Sequence, residues 1–181
     1  MKIIGLTGKA GAGKSTVASL IYKLSGENVT FNPFAGKVKR IACMMGWDGR
    51  KDDRGRRLLQ AIGQAGREYD PDIWIKLWRR GNGEFSIVED VRFDNEAKEI
   101  RALGGVVVLV HGRSEDLGEN AGDISERGVD EDLLDGIIEN KGSIAQLETN
   151  VKRFLKWFGE RHEKKLDATA SFGTDSKRRK A

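Results

Sequence analysis

Seven residues into the chain stands Gly8-Lys9-Ala10-Gly11-Ala12-Gly13-Lys14-Ser15, an instance of G-x-x-x-x-G-K-[ST]. No other stretch constrains the fold so strongly, because this motif works only between a strand and a helix. Its flanks supply both. Ile3-Ile4-Gly5-Leu6-Thr7 is a short apolar run suited to a buried strand, and residues 15–24 place Val17, Leu20, Ile21 and Leu24 on one helical face. The three glycines admit left-handed backbone and let the chain approach an anion with no Cβ in the way. The N–H groups then form a nest for a phosphate, and the helix aims its positive end at the same point. Lys14 can span the β- and γ-phosphates, and the Ser15 hydroxyl is placed to ligate Mg²⁺. Gly11, Ala12, Gly13, Lys14, Ser15 and Thr16 are thus expected to hold a nucleoside triphosphate, with ATP·Mg²⁺ the obvious form.

At 181 residues the chain is one domain's worth with room for a full core. The longest aliphatic run, Val106 to Val110, is far too short to cross a bilayer. No signal peptide is expected, since Lys2-Ile3-Ile4 runs straight into the glycine loop. Cys43 is the single cysteine, which excludes an internal disulfide and suits a reducing, cytoplasmic setting. The net charge of +4 hints at nucleic acid, but its distribution argues otherwise. Residues 163–181 carry +3 and read as a basic, disordered tail, while residues 36–80 carry +6 and residues 114–140 carry −9. The basic half suits small anions, and the acidic half is a poor surface for a polynucleotide.

Strand and helix alternate along the chain. A second strand is expected over 29–34, ended by Pro33, and a helix over about 35–45. A polar loop from Gly46 to Gly55 precedes a helix over 56–67, and Asp70-Pro71-Asp72 starts another that runs through Trp74 and Trp78. The third strand is expected over 85–91, a helix over 94–103 and a fourth strand over 106–110, read as central because it is apolar on both faces. The acidic, Gly-rich stretch 112–130 has no period and reads as a loop that is either functional or mobile. A short fifth strand over 136–140 and a closing helix over 143–161 complete the order. The fold class is α/β, a mainly parallel five-stranded sheet flanked by helices.

Asp90, Arg92 and Arg67 are the other candidates for chemistry. Asp90 ends the third strand, where ligands of open α/β sheets sit, and could hold Mg²⁺ directly, through water, or orient an acceptor. Arg92 could neutralise a transferring phosphoryl group. Arg67, with Lys37, Lys39, Arg56 and Arg57, forms a basic insert fit for an acceptor that carries its own phosphate. Lys51, Arg54, Arg79 and Arg80 are read as solvated. Phe34 is the better aromatic for a base and Trp78 is read as core. Arg113 and Arg127 could be brought in as the acidic loop closes. His111 and His162 are read as structural.

Three blocks resemble a known family. They are Phe34-Ala35-Gly36-Lys37-Val38-Lys39, Arg57-Leu58-Leu59-Gln60 through Gly66-Arg67 to Trp74, and Asp90-Val91-Arg92-Phe93-Asp94-Asn95-Glu96. Together with Ile124-Ser125-Glu126 and Asn140-Lys141-Gly142-Ser143 they are similar to successive motifs of the phage-type deoxynucleoside monophosphate kinases, over roughly residues 1–158. Gly36-Lys37 departs from the Asp-Pro usual there, and Asp123 from a common His. The resemblance implies a P-loop nucleoside monophosphate kinase fold over residues 1–162, with an acceptor-binding insert at about 35–82 and a lid at about 112–130. It implies transfer of the γ-phosphoryl of ATP, with Mg²⁺, to a dNMP. It places Phe34, Lys39, Gln64, Arg67, Trp74 and Asp90 at the monophosphate, Asn140 and Gly142 near the adenine, and Arg127 in the lid, with Lys14, Asp90, Arg92 and Arg127 catalytic. It leaves a homodimer open, and sets the enzyme in a cytoplasm, that of an infected host included.

The nearest alternative is a dephospho-coenzyme A kinase. A regulatory GTP-binding switch lacks support, for no Asp-x-x-Gly follows the third strand and Asn140-Lys141-Gly142-Ser143 lacks the acid of a guanine reader. A DNA-packaging or repair ATPase would need DNA to approach the acidic loop.

Overall fold

The computed structural model describes residues 1–112 and 128–175, with side chains as far as Lys164. Five strands, β1 (Lys2–Thr7), β2 (Val29–Phe31), β3 (Phe85–Val88), β4 (Val106–Gly112) and β5 (Gly136–Asn140), form one sheet in the order β2-β3-β1-β4-β5. Every pairing is parallel. Parallel strands need long crossovers, and helices supply them. They are α1 (Lys14–Ser25), α2 (Gly36–Met44), α3 (Asp53–Tyr69), α4 (Ile73–Trp78) and α5 (Asp94–Ala102), while α6 (Ile144–Asp175) follows the last strand.

The strands alternate their side chains between two cores, as a period of two requires. Ile4, Leu6, Val106 and Val108 point to one face, where Val17 and Ile21 of α1 and Leu147, Val151 and Phe154 of α6 cover them. Ile3, Val88 and Val107 point to the other, beneath Ala97 and Ile100 of α5 and Trp78 of α4. Each fully buried Ile or Leu adds about 1.5–3 kcal/mol relative to exposure, so both faces of β1 commit it to the interior.

The central strand is β1, not β4. β4 is apolar because both its edges are paired, to β1 and β5, and both its faces are covered. β2 stops at Phe31, ahead of Pro33, and β3 stops at Val88, which leaves Glu89 to Phe93 as a loop beyond the ladder. α3 starts earlier than residue 56 because Asp52 caps it, its carboxylate accepting the Gly55 amide at 2.8 Å. α6 runs on past 161 to Asp175, so the first part of the segment read as a disordered tail is helical.

Connections from β1 and from β4 leave the sheet on opposite sides of the β1–β4 seam, which makes the carboxyl ends of the central strands the natural crevice. The glycine loop follows β1 there, the Glu89–Phe93 loop follows β3 beside it, and α2, α3 and α4 lean over both.

Candidate active site

The loop between β1 and α1 is built on left-handed glycines, with φ of 136° at Gly8, 74° at Gly11 and 92° at Gly13. A side chain is excluded on space as well as conformation. A Cβ on Gly8 would stand 2.6 Å from the Val110 carbonyl oxygen, and one on Gly13 2.2 Å from Asn140 Nδ2. That same Nδ2 donates to the Ala12 carbonyl at 2.9 Å, so the end of β5 braces the loop. The Lys14 ammonium folds over the loop and donates to the carbonyls of Gly8 and Lys9 at 2.7 and 2.8 Å. These residues fit a polyphosphate: an anion entering the cradle offers Lys14 stronger acceptors than two peptide carbonyls. Among the described residues no cluster of three His, Cys, Asp or Glu could hold a metal. A magnesium ion would therefore rest on the exposed Ser15 hydroxyl, phosphate oxygens and water, which is its usual habit beside phosphates.

Facing the loop across a cleft of about 510 Å³ is a wall made by the insert. One face of α3 contributes Arg56, Gln60, Gly63 and Arg67, spaced by turns of helix, and α2 contributes Val38 and Lys39. Lys51 reaches the same cleft from the loop before α3. The aromatic floor is braced from behind. Trp74 donates its Nε1 to the Gly63 carbonyl at 3.0 Å, and a Cβ on Gly66 would lie 2.4 Å from its ring. Phe34, only 3% exposed, packs on Trp78 with ring centroids 4.7 Å apart.

Of the three carboxylates that line the cleft, Glu89, Asp90 and Glu96, the last two accept backbone amides. Asp90 accepts the Phe34 amide at 2.8 Å through Oδ1 and the Ala35 amide at 2.9 Å through Oδ2, and so pins the entry to α2. Loss of solvent pushes its pKa above the usual carboxylate range, against the pull of those two amides and of Lys39 and Arg92. Glu96, in the first turn of α5 and only 6% exposed, accepts the amides of Arg92 and Phe93 through Oε2 at 2.9 and 3.2 Å. Burial pushes its pKa up to about 7, with the charge of Asp90 adding to the rise and the two amides and Arg67 opposing it. Arg67 lies with its guanidinium carbon 4.2 Å from the centre of the Phe93 ring, a cation–π contact at the base of the wall.

A family model for deoxynucleotide monophosphate kinases matches residues 54–151, more than half of the chain, from α3 into α6. The chain belongs to that family. A viral relative, the uncharacterized protein ORF77 of Ictalurid herpesvirus 1 (strain Auburn), is 31% identical over 167 residues, covering 84% of this chain and 69% of its own. Among solved structures, TT1252 from Thermus thermophilus is 22% identical with a TM-score of 0.49, covering 85% of this chain and 96% of its own. A dephospho-CoA kinase from Campylobacter jejuni is 15% identical with a TM-score of 0.47, covering 87% and 97%. The protein is thus a P-loop kinase of the nucleoside monophosphate type, a phosphotransferase, and its sheet is the parallel five-stranded one expected.

Most of the residues singled out from sequence converge on the cleft. Gly11, Gly13, Lys14, Ser15 and Thr16 line one side, and Phe34, Lys39, Arg67, Trp74, Asp90 and Arg92 the other. Others do not fit their expected places. Gln64 is exposed and donates to Glu68 at 3.0 Å, for it sits off the face of α3 that Gln60, Gly63 and Arg67 share. Asn140 touches the loop backbone, and the exposed Gly142 abuts Gln146 in the turn before α6. Asp90 accepts one insert amide on each oxygen, which pins the start of α2 and leaves a lone pair on both. Phe34 lines the cleft while its ring packs on Trp78. Lys37 and Arg57 are exposed and stay out of the cleft, whereas Lys51, read as solvated, lines it. Arg113 and Arg127 lie outside the described residues. Glu96 draws no attention in the sequence, because Phe93 three residues before it has no acceptor with which to announce a capping box; the structure alone shows Glu96 accepting the Phe93 amide. No helix among the described residues is long and apolar enough to cross a membrane.

Proposed function

We propose that this enzyme transfers the γ-phosphoryl of ATP to a deoxynucleoside monophosphate, giving the dNDP and ADP. The observation that supports this most is the pairing within one cleft of a phosphate loop and, opposite it, a wall of cations on a separate helical insert. Two phosphate esters can then be held end to end. An oxygen of the acceptor phosphate forms the new bond to the γ-phosphorus as the bond to the bridging β,γ-oxygen breaks.

Phosphoryl transfer of this kind needs positioning and charge more than covalent help. In this reading Lys14 and the loop amides hold the donor phosphates, and Ser15 takes Mg²⁺, which withdraws charge from those oxygens. Arg67 and Lys39, with Arg56 and Lys51 nearby, receive the acceptor phosphate, and Arg92 stands between the two seats. Trp74 and Val38 supply apolar wall for the nucleoside. Asp90 works indirectly, by fixing the start of α2 and hence Lys39. Arg127 keeps its proposed role as a lid cation, and Asn140 braces the loop.

Incubating the protein with ATP·Mg²⁺ and each dNMP, each NMP and dephospho-coenzyme A, with products resolved by chromatography, tests the reading. Diphosphates from one or more dNMPs are the expected products. Phosphorylation of dephospho-coenzyme A alone would replace this reading with the alternative.

A further inference from the structure

We propose that Glu96 is the positioning residue of the acceptor wall, setting the Arg92–Phe93 backbone and, through the Phe93 ring, the Arg67 guanidinium. The inference rests on reading that wall as the monophosphate seat. A carboxylate buried to this degree is rare unless it is paired or hydrogen-bonded. Here its Oε2 collects two successive amides, and both belong to residues whose own atoms line the cleft. The Phe93 ring in turn lies against the Arg67 guanidinium, and Gly63 leaves that group its room, since a Cβ there would come within 3.3 Å of Arg67 Nη2. Arg67 therefore rests on a ring whose backbone hangs on Glu96. A single carboxylate thus governs two arginines that come from different elements.

The charged groups facing Glu96 are Asp90 in the turn after β3 and Arg67 on α3. An ionised Glu96 and a bound phosphate compete for Arg67. A neutral Glu96 keeps the amide bonds without that competition, and burial holds the carboxyl near the point where both forms exist at neutral pH.

A plain helix cap would make a different prediction: its loss would lower stability and leave the two substrates equally affected. The test is a set of steady-state measurements on wild type, Glu96→Gln and Glu96→Ala, with ATP and the preferred dNMP varied separately and melting temperatures recorded. Glu96→Ala should raise the KM for the monophosphate by about tenfold or more, since two amide bonds to a charged acceptor are lost, with the KM for ATP nearly unchanged. Glu96→Gln, whose side-chain carbonyl still accepts both amides, should restore the wild-type value to within about threefold. If Glu96→Ala does not fold, the Gln variant carries the test. The ratio of wild-type to Gln acceptor KM should rise several-fold from pH 6 to pH 8, and a flat ratio would overturn the inference. A folded Ala variant with unchanged acceptor KM, or with both KM values raised alike, would overturn it too. Transfer in the wild type with unaffected variants sinks this inference alone, whereas no transfer in the wild type sinks the functional reading and takes this one with it.

Discussion

Replacing Glu96 by Gln should make the protein more stable relative to wild type as pH rises. Glu96 is a carboxyl whose ordinary pKa of 4.5 the fold moves to about 7. The sign follows from which state prefers the proton. With its folded pKa raised, Glu96 contributes fully below about 4.5, where it is protonated in both states, and that contribution disappears as pH climbs through 7. Each tenfold preference for the protonated form is worth about 1.4 kcal/mol, so the full span amounts to roughly 3 kcal/mol, of which about 2 falls between pH 5 and pH 8. Glutamine has the same shape, keeps a carbonyl for the Arg92 and Phe93 amides and does not titrate. The stability difference, Gln minus Glu, should therefore grow by about 2 kcal/mol over that interval. Asp90 pushes the same way, because removing a neighbouring negative charge eases its own ionisation. Urea unfolding of both proteins at four pH values reads this out, since at an m-value of about 1–3 kcal/mol/M the midpoint gap should widen by roughly 1 M or more. A gap that stays constant with pH would refute the reasoning about burial.

Other perturbations separate the two seats. Lys14→Ala should abolish turnover, since the ammonium that folds over the loop carbonyls is the one placed to hold the donor phosphates; a variant with substantial kcat would remove it from the donor seat. Gly13→Ala should lose ATP binding and about 1–2 kcal/mol of stability, because φ of 92° and the contact with Asn140 both oppose a Cβ; calorimetry with ATP and a denaturation curve check the two halves. Arg67→Ala should raise the acceptor KM by about tenfold or more, the loss of a charge-assisted contact, with little change for ATP. Equal effects on both substrates would count against its place in the wall.

What was legible beforehand follows from locality. The phosphate loop is a contiguous stretch whose glycines, lysine and serine announce their use, and the structure sets Gly8, Gly11 and Gly13 in the left-handed conformations it requires. The alternation of strands and helices was equally plain from periodicity, which reports burial but not order across a sheet. Hence β4, apolar on both faces, was taken for the centre that β1 occupies. Asp90 shows the limit most clearly. A strand-end acid beside a phosphate loop looks like a metal ligand, and nothing nearby in sequence reveals that its oxygens are taken by Phe34 and Ala35, some 55 residues away. Gln64 and Lys51 illustrate the same point at finer scale. A small rotation about the α3 axis decides which polar residue meets the cleft, and the path of the loop before it decides which lysine does. Glu96 carries no local signal, since Phe93 cannot complete a capping box, and its value to the site depends on Arg67 arriving from another helix.

The most direct test of the whole account is to follow one phosphorus atom. ATP labelled in its γ-phosphate, supplied with Mg²⁺ and the accepted dNMP, should deliver the label to the terminal phosphate of a dNDP, one for each ADP formed. Label appearing as inorganic phosphate, with no deoxynucleoside diphosphate made from any base, would contradict it.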